Sequence, residues 1–211
     1  MALPVYILSK KHSCQGILGP MRSGKSSDLL ARLDYYETVY KKKVCLIRKK
    51  GMHREGIDNP GVASSRNNSY KRICIDLDST EEFKDFSYDV YALEEAQFIK
   101  GAADLVHKLF FDMEKIVIVA CLNGNYNQEP FKSSKEDEPC EMGRLIAMFS
   151  HVTFTTASCT LCGNEASYSG LNEDVNRKYL ESNKGIMVGD TAYASYCSEC
   201  VFKYRNNTRS D

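Results

Sequence analysis

Gly19, Pro20, Met21, Arg22, Ser23, Gly24, Lys25 and Ser26 fill the pattern G-x-x-x-x-G-K-[ST] in full. Glycines at its ends let the backbone curl, so that successive N–H groups point at one phosphate. A helix starting there adds the partial positive charge of its N-terminus. In that arrangement Lys25 reaches the β- and γ-phosphates, and the Ser26 hydroxyl ligates Mg²⁺. The bland alternative is a chance glycine loop ahead of a helix. An apolar strand before the motif and an amphipathic helix after it weigh against that. Further on, the apolar run 88–93 delivers Glu94 and Glu95. At the C-terminal end of a strand in an open α/β sheet, two carboxylates lie where ligands bind. One can hold the hydrated Mg²⁺ while the other orients or deprotonates an attacking hydroxyl. Taken without the phosphate loop, the pair equally suits an acidic helix start.

Four of the nine cysteines form two pairs, Cys159-Thr-Leu-Cys162 and Cys197-Ser-Glu-Cys200, around the 34-residue stretch 163–196. Each C-x-x-C offers two thiolates to one metal, and four thiolates make a closed tetrahedral Zn²⁺ site that is structural, not catalytic. In a cytosolic chain this spacing favours metal over disulfide. A redox role for one pair and four unrelated buried thiols are the competing readings. Cys14, Cys45, Cys74, Cys121 and Cys140 are scattered, and Cys45 and Cys121 sit in apolar runs where a thiol acts as a small hydrophobe.

The elements that must position these groups alternate between strand and helix. A short strand ends at 16–18. Residues 26–40 have helical spacing through Leu29, Leu33, Tyr36 and Tyr40. Strands are expected at 44–48, 73–77, 88–93 and 116–122, and a helix at 102–113 through Leu105, Val106, Leu109 and Met113. This order predicts an α/β fold with a mostly parallel sheet covered on both faces. Residues 49–72 and 132–141 read as polar loops. The pattern changes near Ser150, which predicts a P-loop ATP-binding domain over 1–150 and a zinc-binding lobe over 151–205, with 206–211 a disordered tail.

These residues together resemble the cytosolic-type (type II) thymidine kinases. The anchors are GPMRSGKS at 19–26, EEAQF at 94–98, VIVACLNGNY at 117–126, PF at 130–131 and the cysteine quartet around Tyr193. The resemblance implies a RecA-like P-loop domain plus a small C-terminal zinc lobe, with a loop tied at its base by zinc covering the nucleoside. It implies ATP-dependent phosphorylation of the 5′-hydroxyl of thymidine, with Glu95 as the base, Lys25 and Arg54 as further catalytic residues, and Ser26 and Glu94 at Mg²⁺. Gln97, Phe98, Tyr126, Phe131, Ser169, Val188 and Tyr193 fall at nucleoside-site positions. A homotetramer is implied as well.

The sequence departs from the family pattern at several places. Glu94 stands for Asp beside Mg²⁺, and Met52 for the Asp of D-x-R. Asn123 and Asn125 replace Asp and Thr of D-G-T-F, and Gln128 replaces the Arg of F-x-R-x-P-F. Val188 falls where Gly is frequent. Residues 132–141 look inserted, and the loop between the cysteine pairs looks enlarged. These changes motivate a second hypothesis, a catalytically impaired paralogue acting as a subunit or regulator. A third, a P-loop ATPase with a nucleic-acid-binding lobe, asks for a basic face. Residues 163–196 hold only Arg177, Lys178 and Lys184 against Glu165, Glu173, Asp174, Glu181 and Asp190, which argues against it. Lys+Arg and Asp+Glu balance at 28 each, so nothing asks for nucleic acid or an anionic membrane. No run approaches the ~20 apolar residues of a membrane span, and 1–11 lack the order of a signal peptide. The expectation is a soluble, cytoplasmic protein.

Overall fold

The computed structural model describes residues 11–50, 62–64, 71–131, 141–172 and 192–207. These fall into two compact units. The first comprises Met1–Leu18, Lys25–Cys121 and Phe131–Phe154, and the second Gly19–Gly24, Leu122–Pro130 and Thr155–Asp211.

A seven-stranded sheet dominates. Its strands are β1 (Ser13–Gly19), β2 (Val44–Lys49), β3 (Val62–Ser64), β4 (Lys71–Leu77), β5 (Val90–Glu94), β6 (Ile116–Leu122) and β7 (His151–Phe154). The spatial order is β3-β4-β2-β5-β6-β1-β7. Strands β4, β2, β5 and β6 run parallel, β7 runs parallel to β1, and β3 pairs antiparallel on the outer side of β4. The composition shift near Ser150 therefore falls at the start of a strand of this sheet.

The unbroken apolar runs follow from burial on both faces. On one face Cys45, Ile47, Tyr91, Leu93, Val117, Val119 and Cys121 pack with α2 (Ala102–His107) and α3 (Glu141–Ile146). On the other, Leu46, Val90, Ala92, Ile116 and Ile118 meet Leu29, Leu33 and Tyr36 of α1 (Lys25–Thr38). Residue Arg32 of α1 is 1% exposed, yet its guanidinium is satisfied by Asp28, Gln15 and Thr153.

Two helices end earlier than their periodicity predicts. The first stops at Thr38, because Lys41 turns left-handed (φ 54°) and the Lys42 N–H closes on the Tyr36 carbonyl at 3.0 Å. Tyr40 then packs edge-on against Tyr35 and Tyr36 from beyond the helix. The run 102–113 is helical only to His107. Lys108–Asp112 widens into a π-helical turn that still buries Leu109, so the apolar repeat continues across a change of pitch.

Helix α2 has no capping side chain of its own, since Gly101 precedes it at φ 76°. The carboxylate of Glu141 in α3 accepts from the Gly101 and Ala103 N–H groups, at 3.3 and 2.7 Å. Glu141→Ala is expected to cost about 1 kcal/mol, the usual value of a lost N-terminal cap. Urea unfolding followed by circular dichroism should show a lower midpoint at unchanged slope.

The second unit carries two short hairpins, β8 (Ala157–Ser158) with β9 (Glu165–Ala166), and β10 (Tyr168–Leu171) with β11 (Tyr193–Tyr196), followed by α4 (Ser198–Asn207). Its small core is built from Cys159, Ala166, Ala194, Tyr196, Cys197, Cys200 and Val201.

Candidate functional site

In the first unit, β5 ends at Glu94, and Glu95 follows in a left-handed conformation, φ 53° and ψ 41°. A non-glycine residue held there is uncommon and marks a place where local strain is tolerated for position. The bend turns the chain out of the strand into a single 3-10 turn, Ala96–Phe98. The Gln97 amide, 8% exposed, donates to Glu95 Oε2 at 2.6 Å and fixes that carboxylate. Phe98 packs edge-on against Phe131 at 5.2 Å between ring centroids, both rings half-buried.

Lys25 opens α1 and is 8% exposed. Cys121 lies near the end of β6. Burial pushes the Cys121 thiol far up, the Glu95 charge pushes it further, and Lys25 pulls it back. Strand register adds a group that sequence reasoning missed. Arg48, 4% exposed, stands level with Glu94 on one side and Asp76 on the other, and its Nε lies 3.4 Å from Asp76. The signal was a charge closing the apolar run Val44–Ile47, which a strand count passes over.

In the second unit lies the loop that precedes Lys25. Arg22 and Gly24 both adopt positive φ, 59° and 81°, within a run of turns. Main-chain anion cradles are built from such turns. Gly19 needs to be glycine for a steric reason: a Cβ there would run into the Thr155 carbonyl and hydroxyl. Ser23 Oγ and Thr155 Oγ1 are 2.7 Å apart. At the loop's tip, the Met21 N–H donates to Ser169 Oγ at 3.1 Å, and the Met21 carbonyl accepts from Ser195 Oγ at 2.6 Å.

The segment after β6 is tied to the same hairpin. Asn123 Nδ2 donates to the Ser167 carbonyl at 2.9 Å, and Gln128 Nε2 donates to the Tyr126 and Ser169 carbonyls at 2.8 and 2.9 Å. Asn125 Oδ1 accepts from the Asn127 and Glu129 N–H groups. Three positions that depart from the family pattern, 123, 125 and 128, therefore each hold main chain in place. Tyr126 is half-buried in this segment, and Tyr193 opens β11 level with Leu171.

The sulfurs of Cys159, Cys162, Cys197 and Cys200 all lie within 4.8 Å of one another. Cys162 Sγ is 3.6 Å from both Cys197 and Cys200 Sγ. Tetrahedral ligands about 2.3 Å from Zn²⁺ stand about 3.8 Å apart, so the donor set and its size fit the ion. These distances far exceed the ~2.05 Å of a disulfide. The turn after Cys159 closes through the Gly163 N–H on the Cys159 carbonyl at 2.9 Å, with Gly163 at φ 77°. Burial pushes the Cys159 thiol up, but N–H groups of Cys197, Cys162 and Leu161 outweigh it and bring the thiol down to about 6. Burial pushes Cys200 up to about 12. Cys14 and Cys45, inside the sheet unit, are also pushed up to about 12 by burial.

Arg54, Met52 and Val188 lie outside the described residues, as do 173–191 of the stretch expected to cover a nucleoside and most of 132–141. A cavity of about 450 Å³ beside Phe83, Phe86 and Lys108 includes none of the expected site residues. Lys84, Lys100 and Lys108 in its lining are balanced by Glu81, Asp104 and Glu141, so it carries no net charge. Among the described residues no helix is long and apolar enough to cross a membrane.

Residues 13–201 match the family model described as Thymidine kinase. The chain is 28% identical over 201 residues to Thymidine kinase 1 of Dictyostelium discoideum, covering 93% of this chain and 80% of that one. It is 30% identical over 188 residues to the Thymidine kinase of Monkeypox virus (strain Zaire-96-I-16), covering 88% and 94%. With the Thymidine kinase of Vaccinia virus (strain Western Reserve) it shares 30% identity over 191 residues, covering 88% and 94%.

Proposed function

Because this chain belongs to the thymidine kinase family, we propose that it transfers the γ-phosphoryl group of ATP to the 5′-hydroxyl of thymidine. The observation that carries this reading is the placement of Lys25 at the start of α1 and of Glu95, held by the Gln97 amide at 2.6 Å, just past the end of β5. A phosphoryl transfer asks for a cation at the transferring group and a carboxylate at the acceptor alcohol.

In this reading the main chain of 19–26 holds the triphosphate. Lys25 neutralises charge spreading onto the γ-phosphoryl oxygens. Mg²⁺ supplies further neutralisation when bound, held by Ser26 with Glu94 in support. Glu95, kept in orientation by the Gln97 amide, takes the proton of the 5′-hydroxyl. Phe98 and Phe131 offer apolar ring surface to the nucleoside, with Tyr126 and Tyr193 as further aromatic partners. Positioning and electrostatics then account for most of the rate. The cysteine cluster would hold Zn²⁺ as a structural ion.

The test is direct. Purified protein is incubated with ATP, Mg²⁺ and a panel of nucleosides, and monophosphates are separated by chromatography. Thymidine monophosphate should accumulate only with ATP and Mg²⁺ both present. No product from any nucleoside, with ATP still bound, would sink the kinase reading and leave the catalytically impaired paralogue.

A further inference from the structure

Ser169 and Ser195 stand directly opposite each other in the antiparallel register of β10 and β11. Both are almost fully buried, at 5% and 1% exposure. A buried serine hydroxyl needs a partner, and both find theirs on the same residue. One accepts from the Met21 N–H and the other donates to the Met21 carbonyl. These contacts join positions 148 and 174 residues apart in sequence. They consume both main-chain polar groups of the second residue after Gly19, where the loop begins to turn. Ser195 is in turn fastened to the cysteine cluster on both of its own main-chain groups. Its carbonyl accepts from the Thr160 N–H at 2.8 Å, and its N–H donates to Thr160 Oγ1 at 3.2 Å. Thr160 sits between the ligand candidates Cys159 and Cys162, and Cys197 follows two residues after Ser195. All of these contacts lie within the second unit.

We propose that Ser169 and Ser195 are positioning residues that clamp Met21 and thereby set the curvature of the phosphate loop, with the cysteine cluster holding the clamp in register. The proposal rests on the nucleotide reading of residues 19–26. A loop free to relax at Met21 no longer presents the amides after it as one cradle. Triphosphate binding then incurs the ordering that the clamp has already supplied. A serine assigned to the nucleoside by family resemblance would act, here, on the other substrate.

Ser169→Ala, Ser195→Ala and the double variant are compared with the unaltered full-length protein. ATP affinity is measured by calorimetry, thymidine KM by steady-state kinetics, metal content by elemental analysis, and amide exchange of 19–26 by mass spectrometry. Each single variant should raise the ATP Kd by roughly 3–10-fold, the scale of one lost hydrogen bond. The double variant should fall short of the product of the two, because both bonds hold one residue. Exchange in 19–26 should quicken without nucleotide, while metal content and thymidine KM stay within about twofold of the parent values. Ser169→Thr, which keeps the hydroxyl, should restore the ATP Kd. Unchanged ATP affinity with a raised thymidine KM would overturn the clamp and make Ser169 a nucleoside contact. Unchanged affinity with metal loss would overturn it too, leaving the serines as braces of the cluster. Parent protein that binds no ATP, yet exchanges faster in 19–26 when the serines are removed, would instead overturn the nucleotide reading.

Discussion

Glu95→Gln should lower kcat by about 10²–10⁴-fold, the contribution of a positioned general base, while the ATP Kd changes by less than about twofold. The substitution exchanges a carboxylate oxygen for an amide at nearly constant volume, so the bend at the end of β5 and the packing of Ala96 and Phe98 have no steric reason to move. What disappears is the ability to accept a proton. The Gln97 amide, which donates to Glu95 Oε2 at 2.6 Å, also faces a weaker acceptor. Single-turnover measurement with saturating ATP and thymidine isolates this step from product release. A variant that keeps a third or more of the parent rate removes Glu95 from the chemistry and moves attention to Glu94.

With zinc at the cysteine cluster as proposed, its removal should unfold the second unit's hairpins and leave the seven-stranded sheet standing. Of the seven buried core residues among the described part of that unit, three are the cysteines Cys159, Cys197 and Cys200, and two more are alanines. So little apolar surface cannot offset the ordering of the surrounding chain. An ion held by the cluster, as proposed, would do it, and structural zinc in small peptides contributes on the order of 10–16 kcal/mol apparent. The sheet has two apolar layers of its own, rich in leucine, isoleucine, valine and tyrosine. Calorimetry should therefore show an early transition that appears with chelator or with Cys200→Ser, ahead of a main transition that moves little. Elemental analysis should give one zinc per chain before chelation and none after. A protein that is isolated without metal and melts identically with and without chelator would contradict this account.

The parts of the fold legible in sequence are those fixed by local pattern. The run Ile116–Leu122 reads as a strand because seven consecutive apolar residues fill both faces of a covered sheet, and the strand has those bounds. The cysteine quartet is legible because metal ligation requires fixed spacing, and its four sulfurs do converge. What depends on distant partners was not. Nothing in the sequence around Ser195 marks it, since its role comes from Met21 and Thr160. Arg48 acquires meaning only when β2 is aligned with β4 and β5. The place of His151–Phe154 beside β1 depends on a pairing more than a hundred residues apart. The π-helical turn at Lys108–Asp112 stayed hidden because its apolar residues keep close to the helical repeat.

The chain passes from one compact unit to the other five times, after residues 18, 24, 121, 130 and 154. A gene fragment encoding only the cysteine-bearing end would start without Met21 and without 122–130, the pieces that its buried serines and the Ser167 and Ser169 carbonyls are built to hold. Such a polypeptide cannot be transplanted as a cassette with these contacts intact, nor deleted without opening contacts on the two other stretches of its unit. A recombination that keeps these contacts has to carry all three stretches together, so the loop of 19–24 and the cysteine-bearing end are inherited as one piece.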